Sequence, residues 1–467
     1  MYQTPNKYFL RQIFPRGRML TQIEDDLTIF MQLISSLAPS KKEEFEKKFD
    51  AEYSSLYSLS EKTIKNRRTE MISLFGLTVK TEDNFIEISS RALLLINTQN
   101  FQLFFKTFCN RFQFPNCINK SQETVRHLER GVRFKPASFI LQVLKEADNK
   151  YGYGFKITGS EISNLIFNDL RVTAGEINPL HFLDLLVELR KEKIQFNGDS
   201  NHAQHGREFL GYMFLAGLLD SDNEGHTFFL NRKELLAIDY IITTDLFFEI
   251  PKEYITDAKV RKAIQFEWDI WYGDVSQIEY KKLASSEETL EELEEKNDIT
   301  TDTSTVKKSA AISSPAGFHK RQIGEIGERI AYKYEVEQIQ KIRPDKLGIV
   351  KLVSNDTSLG YDIQSVQFQD VSKKKLIEVK TTIRTFMSES EIMTFFPMSA
   401  NEWETAKNYG DMYFIYRVFI TRDSAQIFVI QDPVKHEKSK NIIIEPLQYR
   451  VLVKPKAGAY LPEIKMR

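Results

Sequence analysis

Two acidic residues and one lysine lie in stretches that would form neighbouring strands, and their types fit chemistry on a phosphodiester. YDIQSVQF and LIEVKTT both alternate in the manner of β-strands. Glu378 and Lys380 are two positions apart in the second stretch, so both point to one face while Val379 points to the core. Asp362 lies in the first stretch, and a turn through Asp370–Lys375 would bring the two strands side by side.

These three residue types match the needs of metal-assisted phosphodiester hydrolysis. Mg²⁺ prefers oxygen ligands, usually one or two carboxylates together with water and phosphate. Asp362 and Glu378 could supply the carboxylates for Mg²⁺, with Mn²⁺ as a substitute. Lys380 could orient the attacking water or neutralise charge on the pentacoordinate transition state. We therefore expect Asp362, Glu378 and Lys380 to be catalytic residues and the first two to be metal ligands.

An acidic residue from a helix could complete such a site. RQIGEIGERIAYKYEVEQI predicts a helix, and its Glu328, with Glu325 behind it, could hold a water of the ion or a second ion. Further along the chain, Ser399 and Glu402 have the spacing of a helix capping box. Capping is therefore a more direct interpretation of Glu402 than catalysis.

The specificity of this pattern depends on the combination of residues. A Glu-x-Lys triplet alone says little, because alternating charges are common on an exposed strand face. A lone Asp in a strand is less common, since strands are depleted in Asp. The order of helix Glu, strand Asp and strand Glu-x-Lys favours a nuclease site. The alternative interpretation is a sheet face whose charged residues are simply exposed to solvent.

At this point the sequence resembles the PD-(D/E)XK nuclease superfamily and, within it, the nuclease-like domain at the C-terminus of NO VEIN-type proteins. The resemblance extends roughly from Lys320 to Pro433. It is carried by GEIGER, GYDI, IEVKTT and the downstream MSANEWETAKNYGDMYFIYRV. Where the superfamily pattern has Pro before the Asp, this chain has Tyr361.

The resemblance implies a role for each matching residue. Asp362 and Glu378 would be metal ligands, Lys380 the catalytic lysine and Glu328 the helix acid. It also implies an α/β domain with a mixed central sheet.

Composition bounds the remaining possibilities. The 467 residues contain 64 Lys and Arg against 65 Asp and Glu, which excludes a histone-like polycation but not a basic face. Two Cys among 467 residues exclude a disulfide framework. No apolar run reaches the ~18 residues that a membrane span needs. YGYG at Tyr151–Gly154 lacks the Lys-Ser/Thr of a phosphate loop, so we expect no ATP. With neither a disulfide framework nor a membrane span, we expect a cytoplasmic protein.

A composition shift divides the chain. Residues 285–317 read first as a Glu-rich run and then as Thr, Ser, Ala and Pro, so they cannot bury enough surface to offset ordering. We expect a flexible linker there, with a long surface loop as the alternative. The nuclease-like domain would then span residues 318–467. The N-terminal part would divide into units at 1–130 and 131–284.

The start of the N-terminal part predicts three helices. Apolar spacing indicates a helix from Leu27 to Leu37 that Pro39 ends. Ser40 could cap a second helix and Ser60 a third, which Gly76 would end.

A hairpin would follow these helices. TVK and FIEIS would be its strands, around a turn at Glu82–Asn84. Three helices and a hairpin are the order of a winged helix-turn-helix, whose last helix lies in a major groove. The polar side of that helix would offer the DNA-binding candidates Lys62, Thr63, Lys65, Asn66, Arg67 and Arg68.

A weaker copy of the pattern follows. Ser138–Ala147, Gly159–Asn168 and Asn178–Lys191 have helical patterns, and a further helix to Leu215 precedes a hairpin turning at Asp222–Gly225. Two winged-helix units in tandem would form the N-terminal part. An ordinary helical domain with a charged surface is the alternative for both units.

This order of parts resembles the build of restriction endonucleases that separate recognition from cleavage. The resemblance implies a type II-like restriction endonuclease that binds a specific double-stranded DNA sequence and cuts it with Mg²⁺. One site cuts one strand, so double-strand cleavage implies a homodimer, at least during cleavage. The alternatives are a modification-dependent or repair nuclease, and a non-catalytic DNA-binding protein on a nuclease scaffold.

Overall fold

The computed structural model describes residues 2–11, 14–15, 19–196, 200–222, 225–284, 315–386, 396–421 and 424–444. This part of the chain is mostly helical, and its C-terminal region holds a mixed five-stranded sheet. A mainly helical N-terminal part and a mixed sheet in the C-terminal part were expected from the sequence, but the number of strands was not predicted. None of the helices described here combines the length and apolar character that crossing a membrane requires.

The first elements run in the order helix, strand, two helices and hairpin. Their bounds are α1 (Ile23–Leu37), β1 (Ser40–Lys41), α2 (Lys42–Leu56), α3 (Glu61–Phe75), β2 (Thr78–Lys80) and β3 (Phe85–Ile88). The strands pair antiparallel in the order β1-β3-β2. The predicted helices and hairpin are confirmed, but β1 was missed because two residues carry no alternating pattern.

The helix ends follow local chemistry. Ser60 Oγ accepts the Thr63 N–H at 3.3 Å at the start of α3, and Gly76 ends that helix with φ 60°. Both predictions are confirmed. The prediction that Ser40 caps α2 is wrong, because Ser40 pairs with Ile86 in the sheet and Lys41 occupies the N-cap position.

The remaining elements of the N-terminal part repeat helices followed by a hairpin. They are α4 (Ser90–Thr98), α5 (Phe101–Arg111), α6 (Ser121–Glu129), α7 (Pro136–Tyr151), β4 (Ile157–Thr158), α8 (Gly159–Glu161, continuing as a π-helix over Ile162–Phe167), α9 (Leu170–Thr173), α10 (Pro179–Lys191), α11 (Ser200–Leu215), β5 (Leu219–Ser221), β6 (Thr227–Leu230), α12 (Leu235–Thr243), α13 (Ala258–Gly273) and α14 (Gln277–Ala284). The second sheet has the order β4-β6-β5. The predicted helices are confirmed; residues 223–224 of the predicted turn lie outside the description.

One continuous hydrophobic core joins the two predicted N-terminal units, from Leu10 to Leu283. Buried ion pairs also cross between them. Lys106 Nζ lies 2.6 Å from Glu234 Oε2, and Arg111 Nη2 lies 2.7 Å from Glu279 Oε2. The two units therefore pack as one body.

The C-terminal region places helices on both faces of its sheet. Its elements are α15 (Pro315–Ile342), β7 (Lys351–Leu352), β8 (Ile363–Val366), β9 (Lys374–Ile383), α16 (Ala400–Tyr409), β10 (Tyr413–Ile420), β11 (Ala425–Gln431) and α17 (Pro433–Lys438). The strand order is β11-β10-β9-β8-β7, with β9 and β10 parallel and the other pairs antiparallel. Of the predicted linker, residues 285–314 lie outside the description, and α15 already begins at Pro315.

Candidate active site

The central strand β9 presents two of the predicted residues on one face. Glu378 is 4% exposed, and Lys380 Nζ donates to Glu378 Oε1 at 2.7 Å. Lys380 Nζ also donates to Glu402 Oε2 at 2.7 Å. Val379 is buried in the core on the opposite face, as the alternation predicted.

The neighbouring strand brings Asp362 to the same place. Ile363 pairs with Ile377 in the antiparallel β8–β9 register, so the next step sets Asp362 opposite Glu378. The Val379 N–H donates to Asp362 Oδ2 at 2.8 Å, which holds the carboxylate against β9. The structure therefore brings together Asp362, Glu378 and Lys380, as the sequence predicted.

A glycine before Asp362 allows this approach. Gly360 has a φ of 69°, and a Cβ there would meet Thr405 Oγ1 of α16 at 2.4 Å. The Gly360 carbonyl also accepts the Tyr413 hydroxyl at 2.9 Å. The GYDI stretch is therefore fixed between α16 and β10.

Helix α15 packs on the opposite face of β9, the face that carries Val379 and Thr381. A Cβ on Gly327 would come within 1.8 Å of Thr381 Oγ1, so only glycine permits this contact. The next residue, Glu328, interacts with the charges of Glu378 and Glu325 and with the side chain of Ser354. Glu328 thus borders the site from the helix.

The acidic groups perturb one another. Burial, followed by the charge of Glu328, raises the pKa of Asp362 to about 7. Burial also raises the pKa of Glu378, to about 8, although Lys380 opposes this shift. Burial alone would lower the pKa of Lys380, but Glu378 and Glu402 outweigh it, so this pKa is raised.

This donor set fits a divalent ion. Asp362, Glu378 and Glu402 all interact with the Lys380 ammonium, and Glu328 interacts with Asp362 and Glu378. When these carboxyl groups are ionised, their negative charge exceeds the charge of Lys380, and a hard cation would neutralise it. In the described part of the chain no group of three or more His, Cys, Asp or Glu has metal-holding geometry. A site of two carboxylates completed by water and phosphate is usual for Mg²⁺ and needs no such group.

Glu402 is the site residue that sequence reasoning understated. The capping box is confirmed, since Ser399 Oγ accepts the Glu402 N–H at 3.2 Å and Glu402 Oε2 accepts the Ser399 N–H at 3.0 Å. The same Oε2 atom accepts from Lys380. The capping box in the sequence could predict the helix start, but not that this start lies over β9.

The predicted DNA-facing side chains of α3 are exposed to different degrees. Lys62, Lys65 and Asn66 are exposed, whereas Thr63 and Arg67 are half-buried. Lys65 Nζ lies 2.5 Å from Glu61 Oε1 on the same helix. Thr63 belongs to the cap, because its hydroxyl lies 2.8 Å from Ser60 Oγ.

The prediction that Arg68 lies on the polar side of α3 is wrong. Arg68 is 8% exposed, and its Nε donates to Asp50 Oδ1 at 2.8 Å. Its Nη1 lies 2.8 Å from Glu46 Oε1. Both acids lie on α2, so Arg68 joins the two helices and is not offered to a partner.

With the fold and this geometry established, comparison with known proteins defines the class. A family model described as restriction endonuclease BpuJI, N-terminal, matches residues 2–269, and one described as protein NO VEIN, C-terminal, matches residues 327–430. The protein is restriction endonuclease-like and is related to NO VEIN. Because the first model matches more than half of the 467 residues, the chain belongs to the family of the BpuJI restriction endonuclease N-terminal domain.

Individual relatives agree with both matches. Protein NO VEIN of Arabidopsis thaliana is 27% identical over 122 residues, which are 26% of this chain and only 4% of that protein. A crystal structure of pyrene- and phenanthrene-modified DNA in complex with the BpuJ1 endonuclease binding domain is similar at 25% identity and a TM-score of 0.50. This similarity covers 57% of the chain and 98% of that domain.

Proposed function

We propose that this protein is a type II-like restriction endonuclease: its N-terminal part binds a specific double-stranded DNA sequence and its C-terminal domain hydrolyses phosphodiester bonds with Mg²⁺. The observation that carries the proposal is the meeting of Asp362, Glu378 and Lys380 on neighbouring strands. The likeness of the N-terminal part to a DNA-bound endonuclease domain supports the DNA-binding half.

The order of elements supports two finer proposals about the fold. Helix, short strand, two helices and a hairpin with sheet order β1-β3-β2 are typical of a winged helix, with α3 in the position of the recognition helix. A helix packed on a mixed sheet whose adjacent strands carry the acids is typical of PD-(D/E)XK nucleases. On this basis we propose recognition units at 1–130 and 131–284, which share one core, and a nuclease domain at 318–467.

The residues of the site can divide the work of hydrolysis. Asp362 and Glu378 would hold the Mg²⁺ ion, which supplies Lewis acidity toward the phosphodiester. The Lys380 ammonium, held by Glu378 and Glu402, would orient a water or neutralise negative charge developing on the phosphate. Glu328 would hold a water at the edge of the site.

Two copies of the chain would be needed for double-strand cleavage. One site cuts one strand, so we propose a homodimer or a transient pairing of nuclease domains during cleavage.

One observation favours a second candidate, a DNA-binding protein on an inert nuclease scaffold. Lys380 is already bonded to both Glu378 and Glu402, and the described residues hold no larger metal-ligand group. An ammonium between two acids is also a stable structural arrangement. Only a cleavage measurement separates the two candidates.

The test compares purified protein with Asp362→Ala and Lys380→Ala on unmethylated and methylated phage and plasmid DNA, with Mg²⁺ or EDTA. Asp370→Asn is the matched control, because this exposed acid lies in the β8–β9 turn, where its carboxylate bonds to Ser372 and interacts with the charge of Lys373. Discrete bands that need Mg²⁺, Asp362 and Lys380, but not Asp370, are expected. Cutting by both site variants would refute the site, and cutting of methylated DNA alone would identify a modification-dependent enzyme. Binding without cutting would favour the inert scaffold.

A further inference from the structure

The strand that carries Glu378 and Lys380 contacts the N-terminal part at its C-terminal end. At its end, the Ile383 N–H donates to the Gln99 carbonyl at 3.0 Å, and Ile383 forms a parallel bridge with Asn100. Gln99 and Asn100 lie between α4 and α5. Strand β9 is therefore hydrogen-bonded to the predicted recognition part.

The residue directly after β9, Arg384, forms a buried ion pair with the N-terminal part. Arg384 is 1% exposed and Glu24, in the first turn of α1, is fully buried. Arg384 Nε lies 3.5 Å from Glu24 Oε2, and its Nη2 contacts the carboxylate of Asp25. Glu24 also accepts two backbone N–H groups, from Thr385 at 2.9 Å and Phe386 at 3.2 Å. A carboxylate that is buried away from water needs such partners to offset the loss of its hydration. The contact therefore depends on these particular residues.

The same short segment reaches the second predicted unit. Thr385 Oγ1 donates to the Leu215 carbonyl at 3.2 Å, at the end of α11. The rings of Phe386 and Phe214 lie 5.9 Å apart. We call Ile383–Phe386 with Glu24 and Asp25 the strand-exit junction. It touches α1, the α4–α5 connection and α11.

We propose that the strand-exit junction is a positioning device that fixes the distance between the recognised sequence and the cut. This inference rests on the proposed function. Lys380 and Arg384 lie on one continuous chain, four residues apart, which in a strand is about 13 Å. A displacement of the site by about 3.4 Å along the duplex moves the cut by one base pair. A rigid connection of this length therefore favours a single cut distance.

The junction acts through β9 and does not touch the predicted reacting groups. Breaking it should leave Asp362, Glu378 and Lys380 able to cut DNA. It should, however, no longer fix their position relative to the recognised sequence. Helix α15 also contacts α4 and α14, so the parts should stay associated but less exactly oriented. A spread of cut positions is the readout that a merely structural role would not produce.

The experiment uses the full chain with Glu24→Gln, which keeps the shape of the side chain and removes its charge. Glu234→Gln is the matched control, because it breaks a buried ion pair with Lys106 wholly inside the N-terminal part. Cut ends are mapped by primer extension on a duplex with one site, and DNA affinity is measured in parallel. We expect one cut distance for the wild type and Glu234→Gln, several for Glu24→Gln, and unchanged affinity. Should Glu24→Gln fail to fold, Asp25→Asn, which removes one contact to Arg384, is expected to add cut positions.

One outcome overturns the proposal directly: a single, unchanged cut distance in Glu24→Gln while its Thr385 and Phe386 amides exchange faster. For Asp25→Asn, the same single distance is equally decisive. If the wild type binds DNA but never cuts it, the proposed nuclease function fails separately. The junction is then judged by small-angle scattering: a larger radius of gyration in Glu24→Gln than in Glu234→Gln supports it, and equal radii overturn it.

Discussion

The ammonium of Lys380 lies 2.7 Å from the carboxylate of Glu402, at the N-terminal end of α16. This contact ties the helix to the face of β9 that carries Glu378. Glu402 therefore serves two roles, because the same oxygen closes the capping box with the Ser399 N–H. The two roles can be separated by substitution.

Glu402→Gln is expected to keep the helix and weaken catalysis. Gln can replace Glu in a capping box, so the melting temperature should change little. Loss of the carboxylate frees the Lys380 ammonium on one side, and we expect cleavage to fall by at least about 10²-fold, as when a preorganised electrostatic group is removed. Ser399→Ala is the control: it should cost about 1 kcal/mol of stability and leave most of the cleavage rate. The opposite pattern would assign Glu402 to capping alone.

The sequence predicted the strands of the site because their side chains alternate between the two faces and because acidic residues interrupt otherwise apolar stretches. Asp362 and Glu378 stand out within apolar strands, and their register follows from one turn. Arg68 was misplaced because helical spacing does not show that two acids of α2 lie opposite it. The strand-exit junction was not predictable, since Glu24 and Arg384 are far apart in sequence and only tertiary packing joins them.

Stability should depend on pH through Asp362. Its pKa is raised to about 7 in the folded state. Between the usual pKa of Asp and about pH 7, the folded state therefore binds more protons than the unfolded state. Stability without metal should therefore fall as the pH rises from about 4 to about 7. Asp362→Asn removes this charge and should raise the melting temperature at pH 8 while flattening the profile. Thermal melts in EDTA at several pH values measure both effects.

Metal binding should show the opposite pH dependence. Carboxylates must be ionised to bind a metal, and the raised pKa values of Asp362 and Glu378, about 7 and about 8, keep them partly protonated at neutral pH. The affinity for Mg²⁺ should therefore increase from pH 6 to about 9, with release of protons. Calorimetric Mg²⁺ titrations in buffers of different ionisation enthalpy would show this. An affinity independent of pH would contradict the assignment of these two ligands.

Gly327→Ala should separate α15 from β9. The new methyl group would meet Thr381 Oγ1 at 1.8 Å, so the helix must shift. Overpacking of this kind costs about 1–3 kcal/mol, and the shift would also move Glu328 from the site. Thr381→Ala removes the facing hydroxyl and methyl and should restore part of both stability and cleavage in the double variant. Gly324→Ala is the control, because among the described residues its added Cβ would meet Glu328 Oε1 at 3.8 Å, an ordinary van der Waals contact.

The salt dependence of DNA binding tests α3 as the recognition helix. Lys62 is exposed and has no hydrogen bond or ion pair within the described residues, so it is available to a phosphate. If it contacts one, Lys62→Ala should reduce the slope of log K against log salt by about 1 and weaken binding to all sequences alike. Lys48→Ala is the matched control: it also removes one positive charge, but Lys48 lies on α2 and is paired with Glu44. Arg68→Met should instead lower the melting temperature, because it leaves Asp50 and Glu46 without their partner. Equal slope changes in the Lys62 and Lys48 variants would mean that net charge, and not α3, sets the affinity.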